Sequence, residues 1–322
     1  MILDFSVSEK IRLDLFLRRE LPKKVQLKQL NLNQTFNDEI FSNGKIRRLI
    51  VCGAVSVNSK QIKRPAFELR GFSKVCVDFD EKRFFYEKVP NDIKFEVTKD
   101  SVLYEDEYLI CLNKPTLFPT EETIVGCEKR DNLHASLVRY LWKKNPSLRN
   151  PPYAGIMHRL DRETSGVILF TKQRSVNVAI QKMFENHEIA KTYELLCSST
   201  KNSQIPNSFC VEMFLGRISS KSQAAKWGFL PENKGGVYSK TSFFLKDKEK
   251  FSNNSCFRLE AQLFTGRTHQ IRVHLSSQGF PIVGDELYGG IQAKRIMLHS
   301  KKLEFVHPIL GTKILVEAKV PF

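Results

Sequence analysis

The sequence predicts an α+β protein with two domains. The chain of 322 residues is too long for one small core, and both halves combine segments of helical apolar spacing with short strand-like segments. Its hydrophobic content of 41% is ordinary for a soluble globular protein. No apolar stretch approaches the length of a membrane span, and we see no signal peptide. We therefore expect a cytoplasmic protein with no membrane association.

The sequence of the first half predicts a small basic module of helices and strands. Apolar residues recur at helical spacing in Ile11–Leu21, a polar loop follows at Pro22–Asn43, and Ile46–Cys52 forms a second short helix. Val55–Ser59 is typical of a strand and its turn, and Lys74–Phe79 of another strand. Arginine and lysine side chains stand along both predicted helices.

The second half predicts further strands and two helices. Asn132 can cap a helix that runs to about Lys144, and Ser175 a helix that reaches Glu185. Residues 198–240 are predicted as loops around one hairpin, and the predicted strands are Val102–Tyr104, Tyr108–Asn113 and Tyr193–Cys197.

Charge and cysteine usage narrow the classes of function. The formal net charge is +16, and basic residues are in surplus in both halves, which favours a nucleic-acid partner over the alternative of charge for solubility alone. The seven cysteines form no CxxC pair and indicate reduced thiols. His269 and His274 lack metal spacing, so we expect no metal.

The most informative motif is His-Arg-Leu-Asp-Arg-Glu-Thr-Ser-Gly at 158–166. It places Asp161 between two arginines that favour its charged form, just before the apolar run 167–170. A carboxylate held at a strand entrance suits covalent or electrostatic chemistry. The alternative is an exposed ion-pair cluster on a loop.

This motif occurs with several others in a fixed order. They are Asn113-Lys114-Pro115, Lys191-Thr192-Tyr193, the segment Thr265–His274, Gly284-Asp285 with Tyr288-Gly289, Leu298-His299 and His307-Pro308. Together they resemble the RluA-type pseudouridine synthases over about residues 102–322. The resemblance implies a mixed, largely antiparallel central sheet flanked by helices. It also implies that uridine is isomerised in RNA without a cofactor, with Asp161 as the carboxylate that breaks the glycosidic bond.

The resemblance also implies roles for other residues. Tyr193 would stack on the uracil, and Arg267 would pair with Asp161, the alternative for Arg267 being a phosphate contact. The substrate contacts would come from His158, Arg159, Leu298 and Arg272. From the residues alone, Arg272 and His274 alternate with apolar neighbours and are predicted on the polar face of a strand.

The first 90 residues resemble the S-four-like RNA-binding domain. The resemblance rests on Arg12-Leu13-Asp14, the basic run Lys45–Ile50 and Gly53–Asn58 with Lys63 and Pro65. It departs from the family at Phe72-Ser73, where Gly-Asp is common. It implies RNA contacts by Arg12, Lys45, Arg47, Arg48 and Lys63. The predicted domains are thus 1–90 and 102–322, joined by a linker at 91–101.

Two points stay open at the level of sequence. The residues after Pro115 and the stretch 235–241 depart from the family pattern, so the RNA target is uncertain between large-subunit ribosomal RNA, which we prefer, and transfer RNA. A non-catalytic RNA-binding or ribosome-assembly protein on the same fold is the competing class. A hydrolase fails, because Glu163 stands where a nucleophile elbow needs glycine. We expect a monomer.

Overall fold

We analysed a computed structural model of the protein. It describes residues 1–28, 41–79, 92–122, 124–125, 128–200, 203–219, 225–252 and 254–322, without the side chains of 26–28, 124–125 and 128–129. The chain divides into two compact units, one formed chiefly by the residues up to Pro90 and the other chiefly by those after it. No helix in these ranges is long and apolar enough to cross a membrane.

The described residues of the first unit up to Phe79 form two helices and six short strands. The helices are α1 (Leu13–Lys28) and α2 (Asn43–Val51). The strands are β1 (Ile2–Ser6), β2 (Ile11–Arg12), β3 (Val55–Val57), β4 (Lys60–Gln61), β5 (Glu68–Leu69) and β6 (Lys74–Asp78). Strands β1, β6, β3 and β4 form one antiparallel sheet in that order, and β2 pairs with β5. The inward residues of both helices and the sheet share one apolar core.

Helix α1 is longer than the sequence predicts, because it continues through Pro22 to Lys28. A proline inside a helix lacks the N–H that would bond to the preceding turn. Leu21 and Val25 are nevertheless fully buried, so their packing outweighs the lost hydrogen bond. The rest of the predicted loop, residues 29–40, lies outside the described residues.

Helix α2 agrees with its prediction, with a cap that the sequence analysis did not identify. The Ser42 side chain accepts a hydrogen bond from the Lys45 backbone N–H. Ile46 and Ile50 face the core, whereas Arg47 and Arg48 are exposed. The Lys45 side chain is buried at this first turn, so the structure contradicts the RNA contact predicted for it.

The second unit is built on strands, with three α-helices. The helices are α3 (Leu133–Lys144), α4 (Asn177–Glu185) and α5 (Gln270–Ser277). The strands are β7 (Val102–Glu105), β8 (Leu109–Lys114), β11 (Gly155–Ile156), β12 (Ser165–Thr171), β13 (Ala190–Ser198), β14 (Ser208–Arg217), β15 (Trp227–Phe229), β16 (Val237–Phe251), β17 (Asn254–Leu263), β18 (Leu298–Val306) and β19 (Lys313–Glu317). A separate hairpin, which is grouped with the first unit, pairs β9 (Ile124–Val125) with β10 (Glu128–Lys129).

Within the described ranges, one sheet of eleven strands dominates this unit. Its order is β15-β14-β16-β17-β13-β18-β12-β8-β7, with β11 beside β12 and β19 beside β18. Strand β12 pairs in parallel with β18, and the other strand pairs are antiparallel. The prediction of an α+β fold on a mixed, largely antiparallel sheet is confirmed.

Strand β12 is buried on both faces. All seven of its residues are inaccessible, so it appears in the sequence as a continuous apolar run between Ser165 and Thr171. It lies between β8 and β18, and therefore brings the loop before it, which carries Asp161, to an interior position of the sheet.

The segment predicted as a linker packs against the second unit. Val97 is buried in its core, and its backbone N–H donates to the Ser136 hydroxyl at 2.7 Å. Asp92 forms ion pairs with Arg130 and Arg162. A polar stretch is hard to distinguish from a linker when its partners lie far along the sequence. The predicted boundary at residue 90 stays a prediction.

Helix α5 corrects the strand predicted around Arg272 and His274. His269 adopts a left-handed conformation (φ 56°), and the chain then turns into the helix. Six consecutive residues from Gln270 to Leu275 are buried, so polar and apolar side chains both point inward. Their hydrogen-bond partners include Thr241, Asp285 and Ser239, which the local pattern could not reveal.

Candidate active site

Asp161 lies in a tight turn just before β12. The Thr164 N–H donates to the Asp161 carbonyl oxygen at 3.0 Å, and Gly166 follows with φ 112°. An ideal Cβ at Gly166 would lie 2.1 Å from the Ser300 carbonyl oxygen of β18. Only glycine fits this approach, which fixes the turn against the neighbouring strand.

A second loop, residues 114–120, holds the Asp161 turn from the other side. The fully buried Lys114 ammonium donates to the carbonyl oxygens of Pro115, Phe118 and Arg162, at 2.9, 2.7 and 3.1 Å. The Thr116 hydroxyl donates to the Glu163 carbonyl oxygen at 2.6 Å, and that of Thr120 donates to the Leu160 carbonyl at 2.9 Å. This loop departs from the family sequence, yet it supports the turn through backbone contacts.

Arg272 is the arginine that faces Asp161. Its Nη1 lies 3.5 Å from Asp161 Oδ2, while Nε and Nη2 donate to the two carboxylate oxygens of Asp285 at 2.7 and 2.9 Å. Burial disfavours a charged guanidinium, but the hydrogen bonds and charge of Asp285, followed by the charge of Asp161, raise the pKa of Arg272. The Asp161 side chain remains 24% exposed, so it is accessible to a substrate.

Arg267 does not pair with Asp161, which corrects the prediction. Its Nε donates to the Tyr238 carbonyl oxygen at 3.1 Å, and its side chain is exposed. The error follows from the strand predicted for this segment. In the actual helix, Arg272 points inward near Asp161, while Arg267 stays in the preceding turn.

His269 and Tyr288 complete the surroundings of Asp161, and sequence reasoning assigned neither of them a role. His269 Nε2 lies 3.9 Å from Asp161 Oδ2, and its Nδ1 lies 2.9 Å from the Tyr288 hydroxyl. Burial lowers the pKa of His269. In the neutral tautomer that accepts the Tyr288 proton at Nδ1, the Nε2–H faces Asp161. Tyr288 and Asp285 both belong to the motif Gly284-Asp285 with Tyr288-Gly289. The spacing of this motif alone does not indicate what its side chains contact.

Tyr193 and Leu298 line the same recess beside Asp161. Tyr193 stands in β13 opposite Ser300, is 7% exposed, and borders the cavity together with Asp161. Burial raises the pKa of its hydroxyl, so the phenol is neutral. Leu298 is buried at the start of β18 and lines a smaller recess of about 70 Å³ beside Asp161.

His158 lines the cavity and also contacts the neighbouring strand β12, so its predicted substrate contact stays a prediction. Its Nε2 accepts the Leu169 backbone N–H at 2.9 Å, and its ring lies 4.9 Å from that of Phe184. Burial, and then the charge of Lys191, lower the pKa of His158 to about 3. Arg159, in contrast, is exposed and forms an ion pair with Glu121.

The cavity around Asp161 has a volume of about 890 Å³. Its lining is rich in basic side chains, which are Arg130, Arg159, Arg162, Lys191 and Arg267. The neutral ring of Tyr193, the carboxylate of Asp161 and several cations line one cavity, which suits an uncharged nucleobase on an anionic backbone. Among the described residues, no group of three or more histidine, cysteine, aspartate or glutamate side chains could hold a metal ion.

Comparisons with known proteins identify the family of the chain. The sequence model of the RNA pseudouridylate synthase family matches residues 108–277. An uncharacterized RNA pseudouridine synthase of Mycoplasma pneumoniae is 31% identical over 98% of this chain and 91% of its own length. The ribosomal large subunit pseudouridine synthase C of Rickettsia felis is 28% identical, with 100% of this chain and 97% of its own length aligned.

A solved structure shares the fold. Human RNA pseudouridylate synthase domain containing 1 superposes with a TM-score of 0.55 at 21% identity, covering 69% of this chain and 84% of its own. The site therefore lies in a pseudouridine synthase fold. The chain belongs to the RNA pseudouridylate synthase family, and it is an enzyme that isomerises uridine to pseudouridine in RNA.

Proposed function

We propose that Asp161 is the catalytic carboxylate and that the enzyme modifies uridines of large-subunit ribosomal RNA. The observation that carries the catalytic part is the position of Asp161. It is partly exposed in a cavity of nucleotide size, and Arg272 lies 3.5 Å from its carboxylate. A non-catalytic RNA binder would have no use for a buried arginine clamped by Asp285 and directed at this acid.

The reaction breaks the N1–C1′ bond of uridine and joins C1′ to C5. The proton on C5 leaves, N1 gains a proton, and no atom is gained or lost overall. The sugar acquires positive or glycal-like character on the way, which one ionised carboxylate can stabilise or bond to. Asp161 supplies that carboxylate, and Arg272 Nη1 lies 3.5 Å from its Oδ2.

The target nucleotide has to leave its stack to enter the cavity. An enzyme cannot reach C1′ or turn a base within a stacked helix, so the uridine is flipped out. Tyr193 then stacks on the uracil, with Leu298 on the other border of the recess. Arg159 is exposed and able to enter the space that the base leaves, once its pairing with Glu121 is exchanged for RNA.

Relatives and charge support the choice of RNA. The relatives from Rickettsia felis and Vibrio parahaemolyticus are named as ribosomal large subunit pseudouridine synthases C and D. The first unit would add affinity as an S-four-like domain, through exposed Arg47, Arg48 and Lys63. Arg12 and Arg47 share the carboxylate of Asp14, at 2.8 and 3.7 Å. We expect the enzyme to act as a monomer in the cytoplasm.

The Asp161→Asn variant tests the catalytic role. Asparagine keeps the size of the side chain but removes its charge, so pseudouridine formation should be lost while RNA binding stays near that of the wild type. Both are measured on RNA from cells that lack the protein. Turnover by the variant would refute the role of Asp161. Mapping pseudouridine in total RNA from cells with and without the protein identifies the target, and a change confined to transfer RNA would contradict the ribosomal assignment.

A further inference from the structure

We propose that Lys191 and Arg267 form a phosphate site beside the uridine cavity. It would hold a backbone phosphodiester of the RNA strand next to the nucleotide that enters the site. The inference rests on the proposed function and deepens it, because it assigns a ligand to the arginine that does not pair with Asp161.

The two side chains come from segments that approach closely. Lys191 lies in β13 two residues before Tyr193, hence on the same face of the strand, and it pairs in register with Leu263. An ideal Cβ at Gly266 would lie 3.5 Å from Lys191 Nζ, and Arg267 is the next residue. Lys191 and Arg267 both line the cavity that contains Asp161.

In the part of the chain that the structure describes, these two cations have no carboxylate partner, unlike the other basic side chains around the cavity. Arg159 pairs with Glu121, Arg130 with Asp92, and Arg162 with Asp92 and Glu163. Among the described residues, no carboxylate forms an ion pair with Lys191 or Arg267.

The contacts that hold the Lys191 and Arg267 side chains are with uncharged groups and do not neutralise either cation. Lys191 Nζ lies 5.7 Å from the centre of the Phe184 ring, and the Arg267 guanidinium donates through Nε to the Tyr238 carbonyl. Burial and the charge of Arg267 lower the pKa of Lys191, as expected for two cations that face each other.

An anion between the two groups would relieve this repulsion. A guanidinium offers two parallel N–H donors to a phosphate, and an ammonium adds a point charge. Beside Asp161, in contrast, the cavity carries a carboxylate, which favours the uncharged uracil and ribose over a phosphate. A nucleotide can satisfy both regions at once, with its base and sugar inside and its phosphate between Lys191 and Arg267.

A matched pair of dinucleotides isolates the charge of the phosphate. Uridylyl-uridine and its methylphosphonate analogue have the same bases and sugars, but the analogue has a neutral linkage. Each competes with a fluorescent oligouridylate for the full-length protein. The wild type should bind the phosphodiester about 10-fold more tightly, as expected for charge-assisted hydrogen bonds at a half-exposed site.

The variants show whether these two residues form the site. In Lys191→Met and Arg267→Met the 10-fold preference for the phosphodiester should fall to below about 3-fold. In Lys191→Arg, which keeps a positive charge at this position, the preference should stay near that of the wild type. Lys313→Met, which removes an exposed lysine paired with Glu304, controls for the loss of one charge and should keep the preference. Thermal unfolding of each variant confirms that it is folded.

Two results would overturn the proposal. One is the absence of a preference in the wild type, as expected if the pair binds an acidic protein instead. The other is a preference that persists in both methionine variants. Failure of the proposed function is seen separately. If Asp161→Asn makes pseudouridine while the preference depends on Lys191 and Arg267, the phosphate site stands and the role of Asp161 falls.

Discussion

Asp285 holds Arg272 through two parallel hydrogen bonds, from Nε at 2.7 Å and from Nη2 at 2.9 Å. Both side chains are buried, and the third nitrogen of the guanidinium is left to face Asp161. The fork geometry fixes the plane of the arginine, so Asp285 determines where its remaining N–H groups point. Asp285 is thus a positioning residue for a partner of the proposed catalytic acid.

Asp285→Asn should reduce both stability and activity. The substitution keeps the size of the side chain but leaves Arg272 buried with less than its full balancing charge. We expect the free energy of unfolding to fall by about 3–5 kcal/mol, as for other broken buried ion pairs. Urea unfolding measures this, with Glu304→Gln at the exposed Lys313 pair as a control that should lose less than about 1 kcal/mol. Equal losses in the two variants would contradict this account.

Arg272→Met and Arg267→Met should separate into two kinetic classes. Arg272 faces the proposed catalytic acid, so its loss should lower kcat by about 10²- to 10³-fold, as for other removed electrostatic contacts. The Arg267 side chain donates to the Tyr238 carbonyl and is proposed to bind a phosphate, so its loss should raise KM and leave kcat within a few-fold. Steady-state kinetics on the mapped RNA measure both constants. A drop in kcat for Arg267→Met as large as that for Arg272→Met would restore the role first predicted for Arg267.

His158 should make the fold sensitive to moderate acid. Burial lowers its pKa to about 3, against about 6.5 in an unfolded chain. The unfolded state therefore binds more protons between these values, and stability is full above pH 6.5 and falls as the pH decreases towards 3. The loss is about 2 kcal/mol at pH 5.

His158→Gln tests this dependence. Its amide oxygen can still accept the Leu169 N–H but does not titrate. The decrease in unfolding free energy from pH 7 to pH 5 should be about 2 kcal/mol smaller in the variant, by urea unfolding. An unchanged decrease would show that His158 is not buried in its neutral form. His274 and His299, whose pKa values burial lowers to about 4, contribute the same trend in both proteins.

The first unit should contribute to the salt dependence of RNA binding. Each phosphate contact that is lost lowers the slope of log affinity against log salt by about one. Arg48→Gln should have this effect, since the side chain is exposed on α2, and Lys313→Gln in the other unit serves as the control. Binding is measured between about 50 and 200 mM salt, the range over which such contacts weaken. An unchanged slope for Arg48→Gln would exclude a phosphate contact at this residue.

The sequence was most informative where local signals and packing agree. Asn132 caps α3 through the Ala135 N–H, as predicted, and the run 167–170 is the buried core of β12. Helix α5 was mispredicted, because apolar side chains at 271, 273 and 275 have the two-residue period of a strand. The helix buries the intervening polar residues as well, and their partners lie elsewhere in the chain.

The candidate site, too, could be predicted only where local sequence signals agree with the packing. The turn with Asp161 and the wall formed by Tyr193 could be predicted from long motifs. The arginine beside Asp161 could not be predicted, because it depends on whether the segment forms a strand or a helix and on which side chains then point towards Asp161. Lys114 likewise shows its role only in three dimensions, through three carbonyl oxygens from two loops. The residues next to Lys114 in the sequence do not show that an acceptor as distant as the Arg162 carbonyl will contact it.

The close approach at Gly166 has a consequence for natural variation. Any other residue there would collide with the Ser300 carbonyl and strain a backbone at φ 112°. Such a substitution would displace the turn before it while every ionisable group of the site stayed in the sequence. The enzyme can therefore be silenced through a residue with no reactive atom. A variant with intact Asp161, Tyr193 and Arg272 is not thereby an active one.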